Sequence, residues 1–178
     1  MQIDLRPTQQ RIREFLCRRI DEYGTYPNKG PGPEDGRISQ ISFGYSGTDG
    51  YVVIVCDTRS EPDIDGEWTM YMNADQNIEA FPEWVDLLDH WAEEETVQAT
   101  LPGGDTVDIN NYSHSYKMIN QLFGELIRDT VFELRDSGTI GRLPLTDDAY
   151  FHIEEINAEW AWPEYKERKV VGTLQKTA

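Results

Sequence analysis

From Arg59 to Lys117 the chain carries fourteen carboxylates, beginning at Glu61 and ending at Asp108, without one internal lysine or arginine. An ionised carboxylate lacking a partner cannot enter a low-dielectric core, so every element built from this stretch must keep one side in water. The segment after Phe81 shows how. Pro82 suits the first turn of a helix, where its absent N–H is not needed. Phe81, Trp84, Val85, Leu88, Trp91 and Ala92 recur at helical spacing and predict one apolar stripe over 82–95. On the other side Glu83, Asp86, His90 and Glu93 follow at steps of three and four. Glu93, Glu94 and Glu95 crowd the helix's own negative end, where carboxylates are disfavoured. A basic surface docking there would relieve both the mutual repulsion and the adverse dipole.

The acid excess is local. Residues 1–60 hold eight acids and eight bases, residues 61–166 hold twenty-four acids and five bases, and the whole chain stands at −17. A surface so negative repels a phosphate backbone, which excludes nucleic-acid binding of the ordinary kind. The longest apolar run is Tyr51–Cys56, far below the roughly 20 residues a membrane-spanning helix requires. Asp4 and Arg6 stand in the first residues with no apolar run behind them, so no secretory segment is read and a cytoplasmic protein is expected. Cys17 and Cys56 have apolar neighbours and no zinc-type spacing, and read as reduced, structural thiols. A chain of 178 residues is long enough to bury its own core as a single domain.

Thr8 to Tyr23 reads as a helix, with Ile12, Phe15, Leu16, Ile20 and Tyr23 on one face and Pro7 and Gly24 at its ends. Glycines and prolines crowd the stretch from Gly24 to Gly36, so 24–37 is expected to be a loop. Ile38–Tyr45 and Tyr51–Asp57 predict a hairpin around Ser46-Gly47-Thr48-Asp49-Gly50. Its second strand is apolar on both faces and is expected at the sheet's centre. Glu67–Asn73 alternates like a third strand, and Thr96–Leu101 with Thr106–Ile109 predicts another hairpin around Pro102-Gly103-Gly104-Asp105.

Ser115–Ser137 reads as a long helix burying Tyr116, Ile119, Phe123, Leu126, Ile127, Thr130 and Leu134 and ending at Gly138. Tyr150–Ile156 predicts a strand, Asn157–Val170 a short helix or tail, and 167–178 a mobile tail. Because hairpins outnumber crossovers, the expected architecture is α+β: one domain over 1–178, with a mostly antiparallel sheet of about five or six strands and three helices mainly on one face.

Motifs for chemistry are weak. Gly30 to Gly36 contains Pro31, Pro33, Glu34 and Asp35, which remove N–H donors and repel phosphate. Asp63-Ile64-Asp65-Gly66 lacks the remaining ligands of a calcium loop. His90 with Glu93 and Glu94 is not a metalloprotease pattern. Ser113-His114-Ser115 reads as a loop entering a helix, with the serines as caps. His152, between Phe151 and Ile153, reads as an exposed strand residue. Adjacent acids such as Asp147/Asp148 and Glu154/Glu155 arise by chance in a chain with 33 acids, so they mark no acid–base pair. Trp160 and Trp162 near Pro163 read as clamps on the sheet.

No catalytic residue, metal or cofactor is therefore assigned. The sequence is read as a non-enzymatic interaction domain that binds a basic protein through Glu83, Asp86, Asp89, His90, Glu93, Glu94 and Glu95. Small acidic immunity proteins that neutralise basic bacterial toxins are similar in size and charge, a likeness of composition that carries no motif. Two alternatives stand beside this reading. One is an enzyme with a carboxylate site between the sheet and the second helix; the other is an accessory domain whose acidity serves only solubility or salt adaptation.

Overall fold

The computed structural model describes residues 2–23, 37–47, 49–57, 78–85, 97–108, 112–155 and 169–173. Helix α1 (Arg6–Glu22) follows a three-residue strand, β1 (Gln2–Asp4). Pro7 lies in its first turn, and the Leu5 N–H donates to the Thr100 carbonyl at 2.9 Å, tying the start of the helix to a neighbouring strand. Ile12, Phe15, Leu16, Ile20 and Tyr23 are all buried, as their helical spacing requires. The second helix, α2 (Tyr112–Asp136), buries Leu122, Phe123, Leu126, Ile127, Thr130, Val131 and Leu134. It stops at Gly138, whose φ of +79° is the left-handed conformation in which a helix closes its last carbonyls. His114 and its flanking serines lie within the first turns of α2, where the sequence reading has a loop and caps.

Strands β2 (Ile38–Ser46) and β3 (Tyr51–Asp57) form the expected antiparallel hairpin, paired from Gln40/Asp57 to Ser46/Tyr51. Its turn is fixed by Asp49, whose N–H donates to the Ser46 hydroxyl at 3.0 Å while that hydroxyl donates to the Asp49 carboxylate at 2.8 Å. Gly50 has φ +64°, and a Cβ there would fall 2.4 Å from the Phe81 carbonyl oxygen, so only glycine fits. The Phe81 N–H in turn donates to the Gly50 carbonyl at 2.6 Å, which carries the chain from β4 (Ile78–Ala80) into one helical turn over 82–85.

After β5 (Gln98–Thr100), β6 (Thr106–Asp108) and α2, the chain runs through a short 3-10 turn (Ile140–Arg142) into β7 (Leu145–Glu155), and later into β8 (Lys169–Thr173). The class is α+β, and antiparallel pairs outnumber parallel ones. Strand order in the larger sheet is β4-β3-β2-β7-β8, with β2 and β7 parallel; a smaller sheet has order β1-β5-β6, with β1 and β5 parallel. The predicted hairpin at 102–105 is present, in that smaller sheet.

Several expectations change. The central strand is β2, not the more apolar β3, and it is buried at every position although four of its nine residues are Ser or Gln. Lys169–Thr173, within a stretch read as helix and tail, pairs as an edge strand with β7. Val85 is 37% exposed and does not join the buried stripe of Phe81 and Trp84. The loop at 24–36, the strand at 67–73, the helix beyond Val85 and the segment 157–168 lie outside the described residues.

Helix α2 packs on one face of the larger sheet, and α1 packs beside it. Phe123 of α2 meets Tyr45, Phe81 and Trp84 at ring-centre distances of 5.9, 5.3 and 4.6 Å, and Phe132 meets Phe151 at 5.5 Å. Arg13 of α1 pairs with Glu133 of α2 at 2.9 Å, holding the two helices side by side. Val97 and Ala99 extend the same core toward the smaller sheet.

Candidate functional site

Of the residues proposed for partner binding, Glu83 lies within the described part of the chain; Asp86, Asp89, His90, Glu93, Glu94 and Glu95 lie outside it. Glu83 is half-exposed and is held by Arg11, whose Nη1 donates to both carboxylate oxygens, at 2.7 and 3.0 Å. The same guanidinium donates to the Ala80 carbonyl at 2.5 Å and stacks over the Phe81 ring at 4.5 Å. Glu79 sits 3.7 Å from Arg11 and takes a 2.8 Å bond from Arg18. The segment carrying Glu79 and Glu83 is thus pinned to α1 on one side and, through Phe81 and Gly50, to the hairpin turn on the other.

The other described arginines also have carboxylate neighbours. Arg6 pairs with Asp4, Arg13 with Glu133, Arg19 with Glu22, Arg37 with Asp147, Arg128 with Asp129, Arg135 with Asp136 and Arg142 with Asp21. With Arg11 and Arg18, every described arginine therefore has a carboxylate partner in its own chain. Most of these pairs are exposed, and each contributes only about 0–1 kcal/mol to stability. Their consequence for the surface is larger: the described arginines are engaged by carboxylates of the same chain.

A second polar cluster escapes the sequence reading. On the sheet face turned away from the helices, Gln40 is in register with Tyr150 and Ser42 with His152, on the adjacent strands β2 and β7. Gln40 is 1% exposed, Ser42 3% and His152 0%. His152 is therefore a buried residue, against the expectation of an exposed one, because both faces of these central strands are covered and alternation no longer separates core from water. The Tyr150 hydroxyl donates to the Gln40 side-chain oxygen at 3.2 Å, and the Tyr150 ring meets the His152 ring edge-on at 5.1 Å.

The Gln40 amide nitrogen and the Ser42 hydroxyl have no hydrogen-bond partner among the described residues. Ser42 thus makes no bond to His152 and is not activated as a nucleophile in this arrangement. The sequence signal for the cluster is the i, i+2 spacing of Gln40 with Ser42 and of Tyr150 with His152; what joins the two pairs is a parallel contact that spacing does not reveal.

At the far end of the hairpin, Tyr51 has its phenol raised above the usual range by burial first, then by the Asp49 and Glu155 carboxylates. Glu155 is buried at the end of β7 and Asp49 is exposed on the turn. These two acids act on one tyrosine at the sheet end. Among the described residues no three His, Cys, Asp or Glu side chains gather as a metal site, and no helix is long and apolar enough to cross a membrane. Cys17 and Cys56 are free thiols, half-buried and buried. No protein-family model matches the chain, and no curated protein or solved structure is detectably similar to it.

Proposed function

We propose that this chain is a non-enzymatic interaction domain that captures a basic protein through the acidic run of Glu83, Asp86, Asp89, His90, Glu93, Glu94 and Glu95. One observation carries the reading: every described arginine is engaged by a carboxylate of its own element or a neighbouring one, while the stretch from Arg59 to Lys117 has no internal lysine or arginine. Negative potential left unbalanced in this way steers a cationic partner and speeds its encounter. Arg11 neutralises part of Glu83 and so moves the centre of the surface to Asp86, Asp89 and Glu93–Glu95. The partner is a lysine- or arginine-rich protein met in the cytoplasm; a basic toxin held inactive by an acidic inhibitor has this chemistry.

The test is capture from native lysate at about 50 and 500 mM salt, a range over which the Debye length shrinks severalfold and surface attraction is screened. A variant with Asp86, Asp89, Glu93, Glu94 and Glu95 changed to Asn or Gln serves as comparison. The reading expects one basic protein retained at low salt, released at high salt and lost from the variant while the variant's urea midpoint stays native-like. An identical set of captured proteins for both chains at both salts overturns it.

A further inference from the structure

We draw no further inference here: the strongest candidate, the buried polar cluster of Gln40, Ser42, Tyr150 and His152 on the sheet face away from the helices, carries nothing because nothing among the described residues shows what covers that face or which molecule would meet the Gln40 amide and the Ser42 hydroxyl.

Discussion

Ser42 occupies the middle of the central strand with its hydroxyl buried and without a hydrogen-bond partner among the described residues. A buried donor in that state has lost its water bonds and gained nothing in exchange. Ser42→Ala is therefore expected to leave stability within about 0.5 kcal/mol of the parent or to raise it by up to about 1 kcal/mol. Tyr150→Phe removes the bond to the Gln40 oxygen and is expected to cost about 1–2 kcal/mol. Urea midpoints of the two variants check the pair; a larger loss for Ser42→Ala than for Tyr150→Phe would mean the hydroxyl has a partner after all. Tyr23 poses a different residue-scale question. Burial, with a smaller contribution from Cys56, pushes its phenol well above the ordinary value of 10.0. The folded state then holds this proton more tightly than the unfolded chain. Its stabilising effect is complete below about pH 10 and is lost as pH climbs from there toward the folded value. Urea midpoints measured across the alkaline range should fall above about pH 10 in the parent and fall less steeply in Tyr23→Phe; equal slopes would contradict the assignment.

Between elements, Arg11 does more than a surface charge usually does, because its planar fork takes Glu83, reaches the Ala80 carbonyl and covers the Phe81 ring at once. Lysine reproduces the charge but neither the fork nor the stacking. Arg11→Met is expected to cost about 1–2 kcal/mol, with Arg11→Lys recovering less than half of it. Thermal melts of the three chains decide this, and full recovery by lysine would reduce the network to simple charge pairing. The contacts of Arg11 also show what a sequence yields at this scale. Helix α1, the β2–β3 hairpin, the β5–β6 hairpin and α2 were legible because each is coded by spacing within one short window, with Gly138 marking an end. Pairing between distant segments was not. β1 meets β5 across most of a hundred residues with only Gln2, Ile3 and Asp4 to signal it, too short a run to show a period. β2 became the centre of the sheet because β7 docks parallel to it, and β7 itself gives up strict alternation near its start, where the register shifts between Ile38 and Gln40. Of the candidate site, the acidic composition and Glu83 were visible in advance. The attachment of Glu83 to Arg11 was not, since the two lie 72 residues apart.

For the whole molecule, net charge and ion pairing pull stability in opposite directions as salt is added. Screening weakens the arginine–carboxylate pairs, yet it also relieves repulsion within a chain of formal charge −17. The pairs are mostly exposed and worth about 0–1 kcal/mol each, and much of that is already lost to side-chain entropy. The repulsion is relieved at Glu79 and Glu83, which Arg11 and Arg18 hold, but the other twelve carboxylates between Arg59 and Lys117 have no lysine or arginine among them in sequence. Relief of repulsion should therefore win. Between about 10 and 300 mM salt the melting temperature is expected to rise by about 3–6 °C, equivalent to roughly 1–2 kcal/mol for a chain of this size. Changing Asp86, Asp89, Glu93, Glu94 and Glu95 to Asn or Gln should raise the melting temperature at the low-salt end and flatten the salt dependence. The two chains would then converge as salt increases. A parent melting temperature that falls with salt would show that the pairs dominate and that the acidic run is dispersed enough to repel little. The same dispersal would remove the steering field on which capture of a basic partner depends, so this melt tests the electrostatic premise of the proposed function before any partner is in hand.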